Sequence, residues 1–280
     1  MKKIIIFGSS GGLGSFLSKK LKKYYLVYPI GKINNDYKVN LLIKKDVENL
    51  INKINPDIII NCVASTNVEM CINNYSYAFK GNVITAQNIV YAIKKHKKKI
   101  HLIHISSDQV YNNKTLSKNK ESKINLSNNY SKTKFLAEQK IKKISNYTII
   151  RTNFFGKFLS KKISFSDFII KNLKNRNKIL MPINVFYSPI HINFLNIYII
   201  KIIKKNLRGT FNIGSKDFIS KYNFAYKIAE LKKLNKDLII KYKSKYTKDK
   251  RPLNTSLNSK KFEKLIKQNM PYIQKMLKFL

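Results

Sequence analysis

A short apolar run that ends in closely spaced glycines restricts the start of this chain more than any other feature. Lys3–Phe7 enters Gly8-Ser-Ser-Gly11-Gly12-Leu13-Gly14, and Leu13, Phe16, Leu17 and Leu21 follow at helical spacing. Glycine permits a tight turn and lets backbone amides approach a pyrophosphate, while a helix N-terminus adds partial positive charge. Strand, glycine turn and helix in that order predict a dinucleotide-binding βα unit. The spacing is G-x-x-G-x-x-G with Gly12 added, which differs from the G-x-G-x-x-G of many dehydrogenases. Taken alone, three glycines are also explained by a simple tight turn.

Beyond the loop, strands and helices alternate. Strands are predicted at 25–30, 57–61, 100–105 and 147–151. Val47, Leu50, Ile51 and Ile54 form a helical stripe that Asn55-Pro56 ends. Residues 75–95 read as a long amphipathic helix, 112–129 as a polar loop and 130–144 as a further helix. This alternation predicts an α/β fold, a Rossmann-type doubly wound parallel sheet with a small C-terminal lobe. After Arg151 the pattern loosens, with helices expected at 165–175, 194–205, 222–234 and 259–267 and strands at 178–181, 210–213 and 238–242. We divide the chain into residues 1–151, a NAD(P)-binding domain, and 152–280, a substrate-binding lobe with some segments returning to the core.

The net charge of +42 suggests a polyanionic partner, but only Arg151, Arg176, Arg208 and Arg251 among the 56 basic residues are arginines. Nucleic-acid sites recruit arginine for bidentate contacts. Lysine, asparagine and isoleucine are abundant together, and their A/T-rich codons explain the charge as compositional drift. No specific nucleic acid and no membrane are expected as partners. The apolar run before Gly8 is too short for a signal peptide, and residues 192–203 are broken by Asn193, Asn196 and Lys201. Cys62 and Cys71 make neither a disulfide scaffold nor a zinc motif, so a cytoplasmic, reducing location is expected.

Tyr130 and Lys134 stand four residues apart and share one helix face. An ammonium there is expected to lower the phenol pKa and make the tyrosine usable as an acid or base. Tyr-x-x-x-Lys arises readily by chance in a lysine-rich chain. Its place, one loop after a strand ending in Ser106-Ser107, gives it meaning.

The glycine loop, Asn61-Cys-Val-Ala64, Ser106-Ser-Asp-Gln-Val-Tyr111 and Tyr130-x-x-x-Lys134 occur in an order and spacing that resemble the extended short-chain dehydrogenase/reductases. Within them the chain is most similar to the dTDP-4-dehydrorhamnose reductase group. That similarity rests on Ser107-Asp108 before an aromatic, on the Tyr-x-x-x-Lys-x-x-x-Glu segment ending at Glu138, and on Arg151-Thr-Asn-Phe-Phe-Gly156. Ser188-Pro189 and the stretch from Arg251 to Leu257 add to it.

The resemblance implies a reductase of a nucleotide-linked 4-keto-6-deoxy sugar, using NADP(H) or NAD(H), in surface polysaccharide synthesis. It implies Ser107, Tyr130 and Lys134 as catalytic residues. Tyr130 protonates the substrate oxygen, Lys134 lowers the tyrosine pKa and binds the nicotinamide ribose, and Ser107 steadies the developing alkoxide. Ser107, Asp108 and Phe154 contact substrate. Gly8, Gly11, Gly12, Leu13 and Gly14 hold the pyrophosphate; Asn40 and Leu41 lie beside the adenine, with Asn40 replacing the family's aspartate. Cys62, Val63 and Ala64 line the ribose path, where the first two are usually alanines.

The second strand ends without the acid that binds ribose hydroxyls: Asp36 comes late, and Lys32 suits a 2′-phosphate, a slight lean to NADP. Asn82 matches a structural asparagine of the family. Ile72 replaces a glutamate linked there to magnesium, so no metal is expected. His104 and His191 read as core or pocket residues and Cys71 as a buried small hydrophobe. Two other readings stay open, a nucleotide-sugar epimerase or dehydratase and a non-catalytic NAD(P)-binding regulatory subunit. Gln109 after Asp108 disfavours the dehydratase, and retention of Ser107, Tyr130 and Lys134 argues against the subunit. A nucleotide sugar is the expected partner, and a homodimer is left open.

Overall fold

A computed structural model describes residues 1–31, 37, 39–112, 124–245 and 251–280. β1 (Lys3–Phe7) leads through the glycine loop into α1 (Gly12–Leu21) and β2 (Leu26–Ile30). Next come α2 (Lys44–Ile54), β3 (Ile58–Asn61), α3 (Val68–Asn73), α4 (Tyr75–Phe79), a π turn (Lys80–Ile84) and α5 (Thr85–Lys95). β4 (His101–Ile105), α6 (Asn129–Ile141) and β5 (Tyr147–Thr152) complete the N-terminal half. The C-terminal half adds β6 (Phe154–Phe155), α7 (Phe165–Lys174), β7 (Ile179–Pro182), β8 (Phe186–Tyr187), β9 (Ile190–His191) and α8 (Ile192–Lys204). It continues with β10 (Gly209–Ile213), β11 (Ile219–Ser220), α9 (Lys221–Leu231), β12 (Ile239–Tyr242), α10 (Lys260–Ile266) and α11 (Ile273–Leu277).

The main sheet has the order β10-β5-β4-β3-β1-β2, and every neighbouring pair is parallel. It is the doubly wound, Rossmann-like sheet expected from the alternation. Helices cover both faces, so the strands carry apolar residues on both sides. Ile4 and Ile6 enter one core layer with α1 and α8, while Ile5 and Phe7 enter the other with α2 and α5. That split is the two-residue alternation of a strand. The order reverses at β1, whose neighbours are β3 and β2, and such a switch leaves a crevice at the carboxyl ends of the strands.

Gly209–Ile213 of the C-terminal half pairs with β5 and closes the edge of the main sheet. The remaining short strands pair among themselves, as β11-β8, β12-β7 and β6-β9. The expected helix at 75–95 is helical throughout but carries the π turn at Lys80–Ile84. α3 was not expected; it is six residues long, and the Asn67 side chain caps it by accepting from Met70 N–H. α6 starts at Asn129 because Asn128 and Ser131 form a capping box. Within the expected loop at 112–129, residues 113–123 lie outside the described residues. Among the described residues no helix is long and apolar enough to cross a membrane.

Candidate active site

A cleft of about 390 Å³ opens where β1, β3, β4 and β5 end. One side is the glycine loop, with Gly11, Gly12, Leu13 and Gly14 in the wall. Gly8 has φ +82°, a left-handed conformation that glycine adopts without strain. Its N–H and that of Ser9 donate to the Ile30 carbonyl at 2.8 and 3.0 Å, which ties the loop to β2. A Cβ on Gly14 would lie 2.1 Å from the Gly8 carbonyl oxygen, and one on Gly12 would lie 2.5 Å from the Phe158 ring. Helix and turn therefore approach each other more closely than side chains allow. The N-cap of α1 is Gly11, which has no side chain with which to cap the helix. Its first amides face an anion's natural position, and the loop fits a dinucleotide pyrophosphate.

Ser107, Asp108, Tyr130 and Lys134 line the same cleft. Ser107 caps a short 3-10 turn: its Oγ accepts from Gln109 N–H at 3.1 Å and donates to Asp108 Oδ1 at 3.3 Å. Asp108 Oδ2 accepts from Thr255 Oγ1 at 2.7 Å and Asn153 Nδ2 at 3.1 Å. Burial raises the Asp108 pKa, against these hydrogen bonds and the charge of Lys221.

Tyr130 and Lys134 lie on the cleft side of α6. Burial lowers Lys134 to about 8, with Glu138 opposing, and its Nζ donates to the Ile105 carbonyl at 2.8 Å. Burial pushes the Tyr130 phenol up to about 12, while the Ser107 hydroxyl beside it pulls the other way and the Asp108 charge adds to the rise. This corrects the expectation of a phenol depressed by Lys134. Removing the ring from water penalises the phenolate more than its neighbours stabilise it.

A family model described as the RmlD substrate binding domain matches residues 1–280. The chain belongs to the RmlD substrate binding domain family. It is similar to the dTDP-4-dehydrorhamnose reductase from Bacillus anthracis solved in complex with NADP, at 25% identity and TM-score 0.89, over 99% of this chain and 97% of that one. It is similar to the dTDP-4-dehydrorhamnose reductase of Yersinia enterocolitica at 26% identity and TM-score 0.86, with both chains fully covered at 100%. The dTDP-glucose 4,6-dehydratase of Bacillus anthracis shares the fold at 17% identity and TM-score 0.79, over 100% of this chain and 96% of that one. Comparison with curated proteins finds no match.

In this RmlD-family chain the cleft brings together most of the expected residues: four of the loop, Cys62, Ala64, Ser107, Asp108, Tyr130, Lys134 and Phe154. Gly8 shapes the turn from beneath. Val63 packs toward the α2–α5 core layer, and its N–H donates to Asn61 Oδ1 at 3.0 Å. Asn40 and Leu41 stand away from the cleft wall; Asn40 Oδ1 accepts from Leu42 N–H and the Leu41 carbonyl accepts from Asn88 Nδ2. Lys32 and Asp36 lie outside the described residues. His104, His191 and Cys71 are buried, as expected. Cys62 faces the cleft, its thiol pushed up to about 12 by burial against the pull of Lys134.

Phe158 and Phe165 also line the cleft and were not expected there. Phe158 lies between Gly12 and Phe154, whose ring centroid is 5.8 Å away. Nothing in the sequence near Phe158 signals this. The contact exists because β5 and β1 end on the same side of the sheet.

Proposed function

We propose that this chain reduces the keto group of a nucleotide-linked 4-keto-6-deoxy sugar with NADPH or NADH. One observation carries the reading: a single cleft holds the glycine loop and the Ser107, Tyr130 and Lys134 side chains together. Similarity to dTDP-4-dehydrorhamnose reductases over the whole chain supports it, one of them solved with NADP. On this reading residues 1–151 hold the dinucleotide and 152–280 form the substrate lobe, with β10 and α8 packed back on the sheet.

Gly11, Gly12, Leu13 and Gly14 would hold the pyrophosphate with backbone amides, and Gly8 would keep the turn tight. Cys62 and Ala64 would flank the ribose path, with Val63, Asn40 and Leu41 further along the same side. When bound, the dinucleotide supplies the hydride. The chain's own residues handle the oxygen. The Ser107 hydroxyl would turn from Asp108 to donate to the substrate carbonyl. Tyr130 Oη would deliver the proton to that oxygen; a phenol held near 12 is fully protonated at neutral pH, the form that a ketone reduction consumes. The Lys134 ammonium would bind the ribose and stabilise the phenolate left behind. Asp108 and Phe154 would contact the sugar.

The reading sets the enzyme in the cytoplasm, consistent with two free thiols, and leaves a homodimer open. The test is a screen of TDP-, UDP-, GDP- and CDP-linked 4-keto sugars for oxidation of NADPH and NADH. Turnover on at least one is expected. A dinucleotide that stays bound through purification, with inversion of a hydroxyl and no net NAD(P)H use, would overturn the reading in favour of an epimerase.

A further inference from the structure

Beneath the Tyr130–Lys134 face lies a cluster of buried polar and charged groups, Glu138 and Arg151 at its centre, that the proposed chemistry does not use. Glu138 stands one helical turn beyond Lys134 on α6 and is fully buried. Its Oε1 accepts from Arg151 Nε at 2.9 Å and its Oε2 from Arg151 Nη2 at 2.6 Å, a bidentate pair. The Ser106 hydroxyl donates to Oε1 at 2.6 Å. Arg151 Nη1 donates to the Tyr111 hydroxyl at 2.7 Å, and that hydroxyl donates to Asn212 Oδ1 at 2.9 Å. One carboxylate thus joins α6, the end of β4 and β5, and the chain of bonds runs on to β10.

Packing alone does not require such a cluster. Buried ion pairs contribute little net stability compared with apolar residues of the same shape. Among the described residues, two buried cations lie near Glu138: Arg151, bonded to it, and Lys134, one turn away on α6. The ammonium of Lys134 rests on a carbonyl, that of Ile105. The titratable and charged groups around it are Cys62 after β3, Cys71 on α3 and His104 on β4, Glu138 on its own helix and, bonded to that carboxylate, Arg151 on β5. Burial keeps the two thiols and the imidazole uncharged. Asp108 faces Tyr130 and Lys221 instead. Glu138 is the largest influence favouring the charged amine.

We infer that Glu138 is a positioning residue of the site, whose buried carboxylate keeps Lys134 an ammonium from one helical turn away. The functional weight of Lys134 rests on the reductase reading; the charge balance around it does not. Burial already brings this amine to about 8, within reach of physiological pH. With Glu138 neutral, burial and the Arg151 charge would act together and take it lower.

The test follows the Lys134 ammonium by NMR through a pH titration of protein carrying nitrogen-labelled lysine, the signal being identified by its loss in Lys134→Met. In Glu138→Gln, which keeps the shape and removes the charge, the midpoint is expected to fall by about one unit or more, a tenfold loss of proton affinity. Glu138→Asp keeps the charge but breaks the bidentate geometry; its melting temperature is expected to fall while the midpoint stays within about half a unit of the native one. If Glu138→Gln alone does not fold, Glu138→Gln with Arg151→Met removes the guanidinium together with the carboxylate, and the midpoint is expected to fall by less. A midpoint that stays in place in a folded variant lacking the carboxylate overturns the inference and leaves Glu138 a structural residue. The titration needs no substrate. A protein inactive on every sugar defeats the reductase reading and leaves this result to be judged by itself.

Discussion

The side-chain amide of Asn82 donates to Thr133 Oγ1 at 3.0 Å, joining the π turn to the helix that carries Tyr130 and Lys134. The Asn82 Oδ1 accepts from Ser65 N–H at 2.9 Å, so one residue ties the segment after β3 to α6. Gly81 makes the approach feasible, since a Cβ there would lie 2.0 Å from Ser65 Oγ. The π turn is a local widening of the kind often found near functional sites. Here it directs a buried amide at two partners together.

Asn82→Ala should therefore cost about 2 kcal/mol or more, because the buried Ser65 N–H loses its acceptor and Thr133 loses a donor. Denaturant unfolding reads the loss directly. A change below about 0.5 kcal/mol would show that water replaces the amide without penalty.

Tyr130→Phe removes the proposed proton donor and little else, since the ring stays in its buried position. Turnover is expected to fall at least about a hundredfold while NADPH affinity stays within about threefold. Steady-state rates and fluorescence titration separate the two effects. Retained turnover would sink the mechanism.

Gly14→Ala sets a methyl group against the Gly8 carbonyl, where a Cβ would sit 2.1 Å away. Backbone on both sides must move, so the pyrophosphate cradle should open. Dinucleotide affinity should fall at least about tenfold, and the melting temperature with it. Native affinity in a stably folded variant would remove the loop from the proposed cofactor site.

Acid should destabilise this fold through its buried histidines. Burial lowers His101 to about 3, with Arg208 and Lys2 adding to the effect, and it lowers His191 to about 4. His104 also lies well below the ordinary value of 6.5 because it is buried. In the unfolded chain these imidazoles bind protons below about pH 6.5, while in the fold they stay neutral. Their contribution to stability is thus full above about 6.5 and is lost as pH falls toward 3 to 4, at up to about 1.4 kcal/mol per pH unit for each. Asp108, whose pKa is raised, works in the opposite direction. Melting temperature against pH should fall below about 6.5. His101→Gln, which can keep the hydrogen bond to Thr148 Oγ1, should flatten that slope; an unchanged slope would exclude His101 as a contributor.

Several features were readable from residue order because short-range geometry decides them. An apolar run into glycines makes β1, its turn and α1, whatever the rest of the chain does. Residues four apart on a helix share a face, so Tyr130 and Lys134 had to stand together. Strands buried on both sides read as unbroken apolar runs, and Ile58–Asn61 and His101–Ile105 are such strands. The sheet followed from their alternation with helices.

Other features depended on the assembled chain. Asp108 is held by Thr255 from 147 residues away, and β10 closes a sheet begun two hundred residues earlier in the chain. Phe158 meets Gly12 only because two strand ends share one crevice. The acid–base state of the candidate site shows the division most directly. Residue spacing set Tyr130 beside Lys134 and suggested a depressed phenol. The phenol is instead raised to about 12, because desolvation depends on everything packed around the ring and no local spacing encodes it.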